Sequence, residues 1–198
     1  MTAPDLLTLH AVRLLGYAAA DRVAARFGRP VSDTERELAD LAARGWVGYG
    51  SFGGDGGWAL TESGKAEGER RLAAELDEAA ARSVVDRVHR AFLPYNRTVG
   101  ELCTAWQLAT LGMADQEVDL ESTVTGLGAA AQALAGFERD LVAVLERFGG
   151  YHRRFATALF RIDDDPAWLA GTDRDSCHRV WFEFHEDLIA SLGIDRTG

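Results

Sequence analysis

Residues 31–65 read V-S-D-T-E-R-E-L-A-D-L-A-A-R-G-W-V-G-Y-G-S-F-G-G-D-G-G-W-A-L-T-E-S-G-K. This pattern predicts a helix, a two-stranded ribbon and the start of another helix. Ser32 and Glu35 have the spacing of a capping box, and Gly45 is placed to end the helix before Trp46 opens the first strand. The apolar face of this helix consists of Val31, Leu38, Leu41 and Ala42.

The ribbon turns at a glycine-rich tip. Residues 53–57, G-G-D-G-G, have the backbone freedom of a tight loop, and Trp58–Thr61 returns as the second strand. Helical spacing upstream covers Leu6–Leu15 and Tyr17–Phe27, and Asp21–Gly28 pairs with Ser32–Arg44 as a helix-turn-helix. Helix, helix, ribbon is the order of a winged helix, and DNA binding is the leading functional hypothesis.

The remainder of the chain is predicted to be helical. Glu62–Arg90 has no proline and is predicted as one long helix, and Pro94 marks the start of the next. Apolar residues recur at 3.5-residue spacing over Leu134–Phe148, and amphipathic helices are predicted at residues 151–162 and 176–192.

No strand-like alternation follows residue 61. The sequence therefore predicts a mainly α protein in two domains. Residues 1–66 form a winged helix-turn-helix with a small two-stranded wing, and residues 67–198 form an all-helical bundle for dimerisation or ligand sensing.

The charge of the chain is uneven. A net charge of −10 by itself argues against a nucleic-acid partner. Residues 1–65 hold seven Lys or Arg and eight Asp or Glu, a balance of −1, whereas residues 66–198 hold fourteen and twenty-three, a balance of −9. The acidity therefore belongs to the predicted bundle.

The DNA-reading surface follows from the apolar face. If Leu38 and Leu41 face the core, the outward positions are Ser32, Asp33, Arg36, Glu37 and Asp40. The wing has no Lys or Arg between Val47 and Leu60, so a protein-docking module without DNA binding is the alternative. The candidate DNA contacts are Arg22, Arg26, Arg29, Ser32, Arg36, Arg44 and Lys65.

The stretch V-S-D-T-E-R-E-L-A-D-L-A-A-R-G-W-V, its ribbon and G-W-A-L-T-E-S-G-K resemble winged helix-turn-helix regulators of the MarR-like and PadR-like type, over residues 5–75. The resemblance implies a dimeric transcription factor that inserts Ser32–Arg44 into the major groove and lays the Ser51–Gly57 wing on the neighbouring backbone. W-Q-L at 106–108 and S-C-H-R-V-W-F-E-F-H-E-D-L at 176–188 are similar to actinobacterial regulators, some of them associated with pyruvate phosphate dikinase-like enzymes.

The segment C-H-R-V-W-F-E-F-H-E, residues 177–186, carries the chemistry of the C-terminal part. Its two histidines admit three interpretations: residues buried for packing, the wall of a sensor pocket for a small molecule, or metal ligands. Seven residues separate them, about 10 Å along a helix, which disfavours one shared ion. The candidate ligand-binding residues are Asn96, Trp106, Gln107, Tyr151, Arg154, His178, Trp181 and His185.

Other functional classes are disfavoured. Cys103 and Cys177 are far apart inside apolar helical patterns, which favours buried free thiols over a disulfide or metal pair. The sequence has no phosphate-binding loop, nucleophile elbow or zinc motif, so we expect neither catalysis nor a cofactor nor a metal.

The expected location is the cytoplasm. The chain has no apolar run near the ~20 residues of a membrane span and no secretory pattern at Met1–Asp5. The sequence as a whole predicts a homodimeric, ligand-responsive regulator of double-stranded DNA, with no membrane partner.

Overall fold

The structure is a computed structural model that describes residues 1–52, 55–113 and 118–194. The chain forms two compact units, Met1–Arg82 together with the residues from Ile189 onward, and Ser83–Leu188. We call these the winged-helix unit and the helical unit. The elements are α1 (Pro4–Leu15), β1 (Tyr17–Ala18), α2 (Ala20–Arg26), α3 (Val31–Ala43), β2 (Val47–Phe52), β3 (Asp55–Leu60), α4 (Glu62–Glu78), α5 (Arg82–Thr110), α6 (Leu120–Val142), a 3₁₀ turn (Glu146–Phe148), α7 (Tyr151–Arg161), α8 (Ala167–Ala170) and α9 (Cys177–Leu192).

The predicted fold class is confirmed, since the described residues are mainly helical with one small antiparallel sheet. In the winged-helix unit, α1, α2 and α3 pack together over the base of the sheet. Their shared core is apolar and almost fully buried; it consists of Leu9, Ala11, Val12, Ala18, Val23, Leu38, Leu41 and Val47. A smaller cluster joins Leu6 and Leu72 to Ala190 in the last turns of α9.

The sheet has three strands in the order β1-β3-β2, one more than the sequence predicts. The additional strand β1 pairs only Tyr17 with Ala59 and Ala18 with Trp58. The helical spacing predicted from Tyr17 is wrong at this end, because α2 begins only at Ala20. A strand of two residues is too short to show an alternation pattern in the sequence. Part of the wing tip predicted at residues 53–57 belongs to a strand, because β3 begins at Asp55. Gly53 and Gly54 lie outside the described residues.

The predicted ends of α3 are half right. Gly45 follows the helix with a φ of +73°, as expected for a glycine terminator. The capping box is wrong, because α3 begins at Val31 after Pro30 and no side chain caps it. Val31 itself is 43% exposed rather than part of the apolar face.

The predicted helix Glu62–Arg90 is also wrong, because it divides into α4 and α5. Ala80 adopts a φ of +51°, and the Arg82 guanidinium closes the end of α4 by donating to the carbonyl of Ala73 (3.1 Å) and to Asp77 (2.7 Å). Alanine has the highest helix propensity of all residues, so an alanine at position 80 does not predict a break in the helix. The Thr61 side chain caps the start of α4 by accepting from the Gly64 amide (3.0 Å).

Pro94 does not begin a helix as predicted; it lies inside α5. A proline within a helix removes one backbone hydrogen bond. Leu93, Pro94 and Tyr95 are exposed, which lets water reach the carbonyl that loses its partner. Phe92 and Val99, which come before and after Pro94 in the chain, are both buried, and their packing keeps α5 continuous through the proline.

The helical unit contains α5 to α8 and most of α9. The helices predicted at 151–162 and 176–192 are confirmed as α7 and α9, whereas the Leu134–Phe148 pattern ends as a helix at Val142 and resumes as the 3₁₀ turn. Glu138 of α6 caps α7 by accepting from the amides of Gly150 (3.1 Å) and His152 (2.6 Å). Beyond Leu60 the described ranges contain no strand.

Both cysteines are buried free thiols, as predicted. Burial raises the pKa of Cys103 and of Cys177 to about 12. In the part of the chain that the structure describes, no helix combines the length and apolar character needed to cross a membrane.

Candidate functional site

The exposed face of α3 differs from the predicted one at three acidic positions, Asp33, Glu35 and Glu37. Thr34, Leu38 and Leu41 are buried, and the 100° step of a helix places Glu37 on their side. Glu37 is only partly exposed, while Glu35 faces solvent. The exposed positions of α3 beyond Val31 are Ser32, Glu35, Arg36, Ala39, Asp40 and Ala43.

Glu37 belongs to a polar clamp that joins α3 to α1 and to the turn before α3. Arg29 donates to both carboxylate oxygens of Glu37, at 2.7 Å for one of them, and also to the Pro4 carbonyl at 2.8 Å. Thr8 donates to the same carboxylate. Burial opposes the charge of Glu37, but these hydrogen bonds outweigh it and lower the pKa of the carboxyl below its usual range.

The clamp changes the role of Arg29. Sequence analysis placed it among the DNA contacts, but its guanidinium is directed into the unit and its side chain is only 16% exposed. Arg29 therefore positions α3 instead of presenting charge to a partner.

The other predicted cations remain nearer the surface. Arg36 pairs with Asp33 across one turn of α3, and Lys65 is exposed on the first turn of α4. Arg44 is 53% exposed, stacks on Trp46 at 5.1 Å and lies 3.8 Å from Asp5. Asp5 is bound more closely by Arg71, at 2.8 Å, which lowers the pKa of its carboxyl.

Two more candidates belong to α2. Arg22 is in its first turn and partly exposed. The Arg26 guanidinium stacks on Phe27 at 4.6 Å, so its hydrocarbon stem and charge are partly used for packing. Arg22, Arg36, Arg44 and Lys65 are thus the predicted cations best placed to meet DNA.

The predicted ligand residues of the helical unit separate into groups. The first group lies between α5 and α9: Trp181 donates its indole N–H to the side-chain oxygen of Asn96 (3.1 Å). The ring of His185 stacks beside His89, 6.2 Å away, and lies 5.4 Å from Phe92.

His178 lies one turn before Trp181 on α9 and is half-buried. Burial lowers its pKa, because the protonated imidazole loses hydration there. Neutral imidazole is therefore the favoured form of this side chain near pH 7.

The second group is a buried ionic seam between α7, the 3₁₀ turn and α9. Tyr151 donates to Asp187 at 2.8 Å, and Arg147 pairs with the other oxygen of Asp187 at 2.6 Å. Arg154 pairs with Glu183 at 2.6 Å and Asp175 at 2.9 Å. The side chains of Arg147 and Asp187 are 1% and 0% exposed.

Sequence analysis missed the acidic half of this seam. Glu183 and Asp187 are four residues apart, which places both on the same face of α9. The spacing is present in the sequence. However, two carboxylates on an otherwise apolar helix indicate a solvent-exposed face unless their buried partners are known.

Trp106 and Gln107 form a third location. They lie on α5 ten and eleven residues beyond Asn96, which is about 15 Å along the helix. A small ligand held by Asn96 and Trp181 would not also span that distance. The structure thus divides the predicted pocket.

Within the described ranges, no group of three or more His, Cys, Asp or Glu is arranged to hold a metal ion. Comparison with known proteins returned no match for the chain, whether against protein-family models, curated proteins or solved structures.

Proposed function

We propose that the winged-helix unit binds double-stranded DNA and that the protein is a transcriptional regulator acting in the cytoplasm, not an enzyme. The observation that carries this proposal is the exposed face of α3, the second helix of a helix-turn-helix followed by a β-hairpin. A helix so presented fits the width of the major groove.

Two features of α3 support a reading role. The clamp from Arg29 to Glu37 keeps that carboxylate off the exposed face, which leaves Glu35 and Asp40 as its exposed acidic residues. Ala39 and Ala43 are small and exposed, which permits close approach to base edges and to thymine methyl groups. Arg36 lies among them as the proposed guanine contact.

The first experiment measures binding of the full-length protein to the region upstream of its own gene by fluorescence anisotropy. Arg36→Ala is expected to weaken binding at a specific site by about 1–3 kcal/mol, the discrimination of a bidentate Arg–guanine pair. Arg97→Ala, an exposed arginine of the helical unit, is the matched control.

Salt dependence supplies a second readout. Each neutralised phosphate contributes about −0.9 to the slope of log affinity against log salt, so phosphate contacts from Arg22, Arg44 and Lys65 predict a slope of roughly −2.7. Absence of binding even at low ionic strength overturns the proposal.

A second candidate function is protein docking by the same unit. It is favoured by Glu35 and Asp40 on the α3 face and by the lack of Lys or Arg in the wing. In a pull-down, the wild type would then retain a basic protein partner, and the double variant Glu35→Lys, Asp40→Lys would lose it.

We further propose that a small-molecule effector binds the helical unit beside the Asn96–Trp181 hydrogen bond. The half-buried imidazoles of His178 and His185 lie on the same side of α9 as Trp181. A thermal-shift screen of metabolites tests this, since a ligand that binds only the native state raises its melting temperature. His185→Gln should abolish the shift while leaving the unliganded protein nearly as stable.

Homodimerisation is part of the same proposal. Leu108, Leu111 and Met113 expose apolar surface near the end of α5, which a second copy would cover. Light scattering should give about twice the chain mass of 21.5 kDa. A monomer at all micromolar concentrations contradicts this arrangement.

A further inference from the structure

Two tyrosines lie across the glycine-rich strands of the wing. Tyr17 of β1 contacts the backbone of Gly57: a side-chain carbon on that glycine would be only 2.6 Å from the tyrosine ring. The Tyr17 hydroxyl donates to the Gly50 carbonyl of β2 at 2.8 Å. Tyr17 thereby ties all three strands together and stiffens the hairpin.

Tyr49 occupies the opposite face of the hairpin. It is the direct cross-strand partner of Trp58, whereas Tyr17 opposes Ala59, the next residue of β3. Side chains alternate between faces along a strand, so the two tyrosines project to different sides. The Tyr49 ring meets Trp58 edge to face at 5.2 Å, and its hydroxyl end lies over the backbone of Gly56, in the space that a side chain there would need.

The face that carries Tyr49 is the one that adjoins α3. Val47 precedes Tyr49 by two residues on β2 and is buried in the same core as Leu38 and Leu41 of α3. Tyr49 lies one side-chain position further toward the tip, about 7 Å along the strand. It is 64% exposed although its ring is held by Trp58 and the glycine backbone.

We propose that Tyr49 is the wing's contact with the sugar–phosphate backbone of the duplex that α3 reads. This inference rests on the proposed DNA binding. The hairpin sequence has no Lys or Arg between Val47 and Leu60, so a cation cannot supply this contact. A phenol can, because its hydroxyl donates to a phosphate oxygen and its ring packs against a deoxyribose.

The chemistry of tyrosine gives this contact a distinctive signature. A neutral donor releases no counterion, so it adds affinity without steepening the salt dependence. An arginine contact to a phosphate changes both the affinity and its salt dependence. The two kinds of contact are therefore separable in one titration series.

The experiment compares full-length wild type with Tyr49→Phe, Tyr49→Ala and Arg44→Ala, which removes a proposed phosphate contact, on one DNA site at several salt concentrations. Tyr49→Phe keeps the ring against Trp58 and removes only the hydroxyl; it should weaken binding about 2- to 12-fold, the effect of one hydrogen bond. Tyr49→Ala should weaken it further, and both should keep the wild-type salt slope. Arg44→Ala should reduce that slope by about 0.9.

Hydroxyl-radical footprinting supplies a readout that a purely structural role would not move. Wild type should protect sugars flanking the α3 site, and Tyr49→Phe should lose that flanking protection at an unchanged melting temperature. Phe160→Ala, which removes an exposed aromatic ring of the helical unit, should behave as wild type in both assays.

The outcomes separate the two proposals. If wild type binds DNA and Tyr49→Phe retains its affinity and flanking footprint, the tyrosine contact is overturned and the proposed function stands. If wild type binds no DNA at low salt, both fall. A parallel loss of salt slope in Tyr49→Phe and Arg44→Ala would also overturn the tyrosine contact, because it would indicate an indirect effect on the cations.

Discussion

The winged-helix unit and the helical unit use the same kind of ion pair in opposite ways. The Arg29–Glu37 pair of the winged-helix unit keeps 16% and 19% of its side chains exposed, and it orients a helix whose other face is open. The Arg147–Asp187 pair of the helical unit is almost entirely buried, and its third partner Tyr151 is buried with it.

This difference shows in which unit charged side chains remain available to a partner. In the helical unit, arginines and carboxylates satisfy one another inside the core, and the predicted ligand residues Tyr151 and Arg154 are part of that seam. In the winged-helix unit, the pairs Arg29–Glu37, Arg13–Glu69 and Arg71–Asp5 leave other cations near the surface. Three substitutions test the contrast, from the largest expected effect to the smallest.

Asp187→Ala is expected to destabilise the protein by about 3–5 kcal/mol, because it leaves the Arg147 guanidinium as an uncompensated buried charge. Urea unfolding followed by circular dichroism measures the effect. Asp163→Ala, in the exposed loop after α7, is the control and should be nearly neutral. A loss below about 1 kcal/mol for Asp187→Ala would show that water reaches the seam.

Glu37→Gln is expected to cost about 1–2 kcal/mol near neutral pH, less than the buried pair because solvent screens its partly exposed charges. The pKa of the Glu37 carboxyl is lowered in the folded state, so its stabilisation is complete above the ordinary value of 4.5 and is lost as the pH falls through the folded pKa. The difference between variant and wild type should therefore shrink in acid.

Glu35 provides the matched control for Glu37 on the same helix, since it is exposed. Glu35→Gln should leave stability unchanged and, under the proposed function, strengthen DNA binding by removing a charge that repels phosphate. Equal destabilisation by both substitutions would contradict the distinction between clamp and exposed face.

His178→Gln should have the smallest effect, visible mainly in the pH dependence of stability. Burial lowers the pKa of His178, so the unfolded chain binds a proton more readily than the folded one. Wild type should lose stability as the pH falls below about 6.5, the ordinary histidine value. The variant should show a shallower decline in thermal melts between pH 7.5 and 5.5, and an identical decline would contradict burial as the cause.

Much of the fold was predictable because its signals are local. Gly45 ends α3 through a backbone conformation that favours glycine, and the apolar spacing of Leu38 and Leu41 determines which side of α3 is buried. The same reasoning identified α7 and α9. It failed at Ala80 and Pro94, where distant packing and the Arg82 side chain overrule local preference.

The candidate site was predictable only in part. Arg36 is exposed on α3 as expected, because its position follows from helical periodicity alone. The pairing of Arg29 with Glu37, eight residues away, could not be predicted from the sequence, since it depends on how α3 lies against α1. Arg147 and Asp187 are forty residues apart in the chain, and nothing local to either marks the other as its partner.

The sequence by itself determined the mainly α class, the helix-turn-helix with its glycine-rich hairpin and the two buried free cysteines, because periodicity, turn chemistry and apolar context act over a few residues. Only the tertiary structure decided that β1 completes the sheet, that Glu37 is withdrawn from the face of α3, that Tyr49 projects beside it, and that Tyr151 and Arg154 belong to an ionic seam. The physical reason is that a side chain's charge and hydrogen bonds are assigned by whichever partner packing brings within about 3 Å, and that partner can lie anywhere in the chain.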